Sequence, residues 1–381
     1  MLKVEHVMIE GKGTSLLLAL DHLLGKDLVL LEENREIFPC QRAGTVGSCD
    51  DRFHRKLRKP QFISHMENVI GEIGIKMRVC AAHVIALLTS GIRELLEEHM
   101  DELTEICARE HGKVWSEAKG DILKVKEPVE LACSAPSLLM GESMRDTSSG
   151  YDTTLYREPV GVFAGIVPFN FPGMIPMGWM SPLCIVCGNT IVLKAASMTP
   201  MTCMRLAELW QEAGLPDGVI NIVTCSRNEA EIFMDHPDVK GITFVGSTSV
   251  GLHIYSRAAA NGKRVQALCE AKNHGLVLED AALERSARGI INSSFGCAGE
   301  RCMALPVIVV QESIADRFVA MLKKKAMALK VGCAYDPETQ LGPMVSAAQK
   351  TKVCNWIQKG IDEGATVVLD GRDIVVPGFE N

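Results

Sequence analysis

Apolar residues recur at helical spacing from Val79 onward. Leu87, Leu88, Ile92, Leu95 and Leu96 fall on one face, and Glu97, Glu98, Asp101 and Glu102 fill exposed positions. Leu103, Ile106 and Cys107 follow in a second helix. Beyond Pro159 the pattern changes to short apolar runs bounded by turn residues. These predict a buried strand at 159–168 and further strands at 189–194, 219–223, 241–245 and 264–269. Helices are expected between them, at about 177–186, 204–213, 228–234, and from Ser247, which can act as an N-cap, to about 259. Strand and helix alternating through short links predict a parallel sheet covered on both faces.

A second region starts after Cys269. Its expected elements are strands at 274–278, 307–310 and 366–369, and helices at 281–294, 314–328 and 346–363. No internal repeat is present. Residues 1–76 are harder to parse. An apolar helical face over 16–31 breaks at Gly25, and a basic run over 52–59 is closed by Pro60. The run is either a targeting or nucleic-acid patch or, as we prefer, a solvated segment.

Composition narrows the picture. The chain has 381 residues, enough for one to three domains and a large core. Its net charge of −7 argues against nucleic acid or an anionic membrane surface as the main partner. No apolar stretch reaches the length of a membrane-spanning helix, about 18 residues or more. The opening stretch, MLKVEHVMIEGKG, has neither a secretory apolar region nor the acid-poor, Arg/Ser-rich pattern of a mitochondrial transit peptide. Fourteen scattered cysteines point to a reducing compartment. Cys184 and Cys187 lie in an apolar run without a second pair, so they read as structural thiols and no metal site is expected.

Two stretches carry chemistry. Phe295-Gly-Cys-Ala-Gly-Glu-Arg-Cys-Met-Ala304 places Cys302 after a small-residue turn and beside Arg301. A thiolate is the nucleophile, and a neighbouring cation favours it. Cys297 is the rival thiol, and its small and apolar neighbours suggest a buried bystander. Val167-Pro-Phe-Asn-Phe-Pro172 presents Asn170, either as a turn residue or as an amide donor to a developing oxyanion. Gly246-Ser-Thr-Ser-Val-Gly251 follows a strand and opens a helix. Its backbone N–H groups can bind a pyrophosphate, although it lacks the GxGxxG fingerprint and an ordinary turn is the competing reading. Lys194 ends a strand, where a lysine is either a solvated edge or a ligand to charge.

Together these stretches resemble the NAD-linked aldehyde dehydrogenase superfamily, most closely its methylmalonate-semialdehyde dehydrogenase (CoA-acylating) branch, from about residue 77 to the C-terminus. The resemblance implies an α/β fold: a Rossmann-like parallel-sheet NAD domain with a helical lead-in over 77–268, and a second α/β catalytic domain over 269–381. That domain is shorter at its C-terminus than the family's, and residues 1–76 match nothing in it. Cys302 then corresponds to the nucleophile and Asn170 to the oxyanion donor. Val167, Phe169, Lys194, Ser197, Gly246, Ser247 and Cys269 correspond to cofactor contacts, and Arg301 and Lys124 to the cations that hold a substrate carboxylate.

The departures are specific. The family's Lys-Pro-x-Glu is Lys194-Ala-Ala-Ser197 here, and losing that charged acceptor is expected to weaken NAD binding by about 1–3 kcal/mol. Its Gly-Asp-x-x-Arg is Gly120-Asp-Ile-Leu-Lys124, which keeps charge but loses the bidentate fork. Gly178 looks like an insertion. Leu268 stands where hydrolytic members carry their water-activating Glu, and Glu270 lies nearly 7 Å further along the strand, at roughly 3.3 Å per residue. Without that base the thioester persists for another nucleophile.

The resemblance thus implies NAD-dependent oxidation of malonate or methylmalonate semialdehyde to acetyl-CoA or propionyl-CoA, with coenzyme A as co-substrate. It implies a place in valine and thymine breakdown, a mitochondrial setting, with a cytoplasmic one open for want of a transit peptide, and homo-oligomers. The chain ends before the family's Glu-x-Phe-Gly-Pro segment and oligomerisation strand. The alternative is a shortened, inactive relative that serves as a binding or assembly partner.

Overall fold

The computed structural model describes residues 82–378, with side chains from Thr89 onward. The expectations for residues 1–76 lie outside the described residues. The first elements are α1 (Ala82–Glu98), α2 (Met100–His111) and α3 (Trp115–Cys133). Ile92, Leu96, Leu103 and Cys107 are buried and Glu97, Glu98, Asp101 and Glu102 exposed, as the periodicity requires. On α3 the buried Ala118, Ile122, Val125, Val129 and Ala132 form one stripe at spacings of three and four.

A hairpin, β1 (Ser143–Ser148) and β2 (Tyr151–Thr154), comes next. Every residue of both strands is exposed, so no apolar alternation announces it in the sequence.

The central sheet contains β3 (Val162–Ile166), β4 (Thr190–Lys194), β5 (Ile220–Val223), β6 (Val239–Gly246) and β7 (Arg264–Cys269), all parallel. Its order is β5-β4-β3-β6-β7. The period of two sends alternate side chains to opposite layers. Ile191 and Leu193 join the larger core with α1, α2, α3 and α5 (Met201–Glu212), whereas Val192 joins Phe233, Ile242 and Ile254 on the other face. That second face is covered by α6 (Ile232–Asp235) and α7 (Thr248–Ala260).

Between β3 and β4 the expected helix starts earlier, as a π-helix over Met174–Met180, and continues as α4 (Ser181–Val186). A π-turn holds one residue more than an α-turn, and Gly178 lies within it. A Cβ at Gly178 would lie 3.0 Å from the Lys124 carbonyl, so the wide turn packs directly on the backbone of α3.

The second region has β8 (His274–Val277) paired in parallel with β9 (Val307–Val310). They enclose a small core of Val277, Ala287, Ile290 and Phe318 with α8 (Leu283–Phe295) and α9 (Glu312–Met327), and α10 (Ala347–Asp362) follows. The strand expected at 366–369 does not form. Val367, Val368 and Leu369 are exposed, and no strand among the described residues pairs with them. A β-branched run becomes a strand only when a neighbour completes its ladder.

Candidate active site

The chain runs outward from β3 to β4 and β5 on one side, then returns to place β6 and β7 on the other. The direction therefore reverses between β3 and β6, and a parallel sheet offers its binding crevice outside the carboxyl ends of the strands at such a point. Register fixes what meets there. Ile166, the last residue of β3, lies beside both Lys194 and Phe244, and Gly246 lies beside Cys269. Val167, Lys194, Gly246 and Cys269 thus end adjacent strands at one edge of the sheet.

Several features of that edge suit a dinucleotide. Ser247 occupies the N-cap of α7 in extended geometry, as expected, but its hydroxyl makes no capping bond, and no other side chain caps the helix. Unsatisfied N–H groups and the helix dipole at this end suit an anion. A Cβ at Gly246 would lie 2.5 Å from the Phe244 ring, so only glycine lets the turn close over that ring. Lys194 is half-buried. Its Nζ donates to the Ala195 carbonyl at 3.2 Å, and burial lowers its pKa from the ordinary lysine value. Ser197 is exposed in the turn beyond it.

The turn before Cys302 is built with strain. Cys297 and Ala298 have φ of 50° and 51°, the left-handed region that non-glycine residues avoid, and Gly299 continues at 78°. Each such non-glycine residue costs on the order of 1–2 kcal/mol. Glu117 of α3 offsets this. Its two carboxylate oxygens accept the Cys297 N–H at 3.0 Å each, and one also accepts Arg301 Nη2 at 2.8 Å. Arg301 lies against Gly296, where a Cβ would sit 2.5 Å from Cζ. Its Nε donates to Cys297 Sγ at 3.5 Å. The guanidinium next to Cys302 in sequence therefore contacts the rival thiol and Glu117. Cys297 is buried, as expected, and burial raises its pKa.

Cys302 follows this turn and is partly accessible. Asn273 holds it from the β7–β8 link, donating from one amide nitrogen to the Cys302 carbonyl at 3.0 Å and the Ala304 carbonyl at 2.8 Å. Asn170 approaches from the other side, its Nδ2 donating to the Glu300 carbonyl at 2.7 Å, which leaves its second amide hydrogen free of that bond. The structure therefore brings Asn170 to the turn of Cys302 across 130 residues of chain.

Beneath both loops lies a layer whose role sequence reasoning missed. Lys113 and Asp121, both fully buried, pair at 2.7 Å. Burial is the largest single influence and would lower the Lys113 pKa, but Asp121, Cys107 and Cys297 together hold the ammonium above its usual value. Asp121 Oδ1 also accepts the Met174 N–H at 2.7 Å, and Lys113 Nζ lies 3.9 Å from the Phe171 ring centroid. His111 stacks on Phe169 at 6.0 Å between centroids. The segment around Asn170 is thus gripped at residues 169, 171 and 174. Lys113 lies in the short link between α2 and α3 and Asp121 on a helix rich in charged residues, so neither stands out in the sequence. Lys124, by contrast, lies on the exposed side of α3 and pairs with Glu127 at 2.7 Å, two turns and about 10.5 Å along the helix from Glu117.

Comparisons with known proteins agree with this architecture. The model described as the aldehyde dehydrogenase family matches residues 79–380. The mitochondrial methylmalonate-semialdehyde dehydrogenase [acylating] of Arabidopsis thaliana is 47% identical over 288 residues, 76% of this chain and 47% of that protein. Malonate-semialdehyde dehydrogenase 1 of Geobacillus thermodenitrificans is 49% identical over 287 residues, 75% of this chain and 59% of that one. A crystal structure from Sinorhizobium meliloti, classed as a methylmalonate-semialdehyde dehydrogenase and complexed with NAD, superposes with a TM-score of 0.79 at 37% identity, covering 84% of this chain and 65% of that one. The chain thus spans 47% and 59% of the two curated relatives.

Proposed function

Because this chain belongs to the aldehyde dehydrogenase family, we propose that it oxidises malonate or methylmalonate semialdehyde through a Cys302 thioester and passes the acyl group to coenzyme A. The five-stranded sheet and its helices, within 77–268, would form the cofactor domain, and residues 269–381 would carry the nucleophile. NAD, when bound, takes up the hydride. Val167, Phe169, Lys194, Ser197, Gly246, Ser247 and Cys269 would hold it at the sheet edge.

In this reading the Cys302 thiolate adds to the aldehyde carbon, and the carbonyl oxygen becomes an oxyanion. The second amide hydrogen of Asn170 stabilises that charge. Loss of hydride leaves a thioester on Cys302. The thiol of coenzyme A then attacks the acyl carbon, and Cys302 leaves as the thiolate. Loss of the substrate carboxylate as carbon dioxide, with a proton from solvent taken up by the carbon it leaves, gives acetyl-CoA or propionyl-CoA. Arg301 and Lys124 are assigned to that carboxylate, and both would first exchange their present partners, Glu117 and Glu127, for it.

The observation that carries the acylating reading is Leu268. It is the penultimate residue of β7, exposed at the edge that faces the site, and no carboxylate replaces it within that strand. A thioester with no water-activating base beside it survives until a better nucleophile arrives. The names of the relatives support semialdehyde substrates, the Arabidopsis protein's name supports acylation and a mitochondrial setting, and a place in valine and thymine breakdown is expected on the resemblance alone. Homo-oligomers are expected on the same resemblance.

The test is NADH absorbance on mixing the protein with NAD and malonate semialdehyde, with and without coenzyme A. Turnover that requires coenzyme A and disappears in Cys302→Ala supports the proposal. Equal turnover without coenzyme A overturns acylation, and no NADH in any mixture overturns the dehydrogenase reading.

A further inference from the structure

Three neighbouring residues at the base of the nucleophile turn hold five buried polar atoms without a hydrogen bond of ordinary geometry, His111 Nδ1 and Nε2, Glu300 Oε1 and Oε2, and Asn170 Oδ1, and only the Val345 backbone amide draws weakly on the Glu300 carboxylate. Buried polar atoms are normally paired, so a cluster of this kind marks a missing proton or bridging group. His111 ends α2 and Glu300 lies two residues before Cys302, yet their side chains, 1% and 2% accessible, face each other with Nε2 3.9 Å from Oε2. Gly112 packs against Pro343, and the nearby Val345 backbone amide closes the site from a third direction.

We propose that Glu300 and His111 form a buried acid–imidazole pair, the carboxyl keeping its proton and sharing it with the neutral ring, and that this pair positions the Cys302 turn against Asn170. The gap closes to an O–H···N bond with a side-chain movement of about 1 Å. The electrostatics agree. Burial raises the Glu300 carboxyl to about 7, against the opposing pull of the Val345 amide and Lys113. Burial, helped by Lys113, lowers His111 to about 3. The other charges close by are already paired, Lys113 with Asp121 and Arg301 with Glu117, and the neighbouring thiols of Cys107 and Cys297 have raised pKa values. A neutral pair keeps negative charge away from the place where Cys302 and Asn170 must carry it. Ionising Glu300 puts charge there and opposes the thiolate.

The importance of the turn rests on Cys302 being the nucleophile proposed above, but the test needs neither NAD nor turnover. The full chain, labelled with carboxyl-13C glutamate, is titrated by NMR from about pH 5 to pH 9. Two glutamate carboxyls, those of Glu110 and Glu300, are expected to titrate near 7, and the Glu300 signal is the one absent from Glu300→Gln. In parallel, alkylation of Cys302 by iodoacetamide is followed by mass spectrometry. Above neutral pH the wild type is expected to react about fivefold more slowly than Glu300→Gln, because a nearby carboxylate disfavours the thiolate. Should Glu300→Gln not fold, His111→Gln serves instead: its amide N–H stabilises the ionised carboxylate, so the titration drops by about one unit or more. A Glu300→Gln spectrum that loses no titration near 7, superimposable alkylation profiles, or a Glu300 titration unmoved by His111→Gln overturns the pair. Loss of dehydrogenase activity alone touches only the function proposed above.

Discussion

Asp121→Asn isolates the buried layer that supports the site. Asp121 and Lys113 are both fully buried and 2.7 Å apart, so the substitution leaves an ammonium in the core with no counter-charge. Removing one partner of such a pair costs about 3–5 kcal/mol. Asparagine still offers Oδ1 to the Met174 N–H, so that bond survives, whereas Asp121→Ala loses it too and should cost a further 1–3 kcal/mol, roughly. Replacing the pair together, as Lys113→Met with Asp121→Asn, removes the stranded charge. The double variant should be less destabilised than Asp121→Asn alone, with a coupling energy of about 2–3 kcal/mol. Urea unfolding of the four proteins gives each term from the midpoint at constant slope. Because Lys113 also lies over the Phe171 ring, Lys113→Met and the double variant should both alter Cys302 alkylation, through the displaced Asn170 segment. A loss under about 1 kcal/mol in Asp121→Asn, or additivity of the two single changes within about 0.5 kcal/mol, refutes the reasoning.

Stability should depend on pH in an unusual direction. Burial raises both Glu110 and Glu300 to about 7, so each contributes stability that is complete below the ordinary carboxylate value and lost as pH rises through 7, roughly 3 kcal/mol apiece. His111, lowered to about 3, works in reverse, with stability present above its ordinary value and lost on acidification. With two glutamates against one histidine, the urea midpoint should rise from about pH 7 to pH 5, and Glu300→Gln should flatten that slope. A midpoint that rises with pH over that window contradicts the assignment. Ser197→Glu restores a charged acceptor beside Lys194 and should tighten NAD by about 1–3 kcal/mol in a fluorescence titration; unchanged affinity separates the turn after β4 from the cofactor. Gly296→Ala puts a methyl 2.5 Å from Arg301 Cζ, so it should displace the guanidinium from Glu117, destabilise the chain by about 1–3 kcal/mol and speed hydrogen exchange at the Cys297 amide. Unchanged exchange would show that Glu117 does not hold the strained turn.

The sequence by itself determined the parallel sheet, because strands buried on both faces read as unbroken apolar runs and their helices as periodic stripes. It also supplied the residues with distinctive chemistry, Cys302 and Asn170, and an alternation that only a crossover topology satisfies. It did not announce the β1–β2 hairpin, whose side chains are all exposed, and it put a strand at 366–369, where no partner strand completes a ladder. Tertiary structure alone decided the support of the site. Glu117 reaches Cys297 and Arg301 across 180 and 184 residues, Asp121 reaches Met174 across 53, and His111 meets Glu300 far along the chain. A charged residue in an amphipathic helix reads as solvated until something shows what is packed above it. Burial strengthens each of these contacts by lowering the local dielectric, and burial belongs to the assembled layers, so no local pattern encodes it.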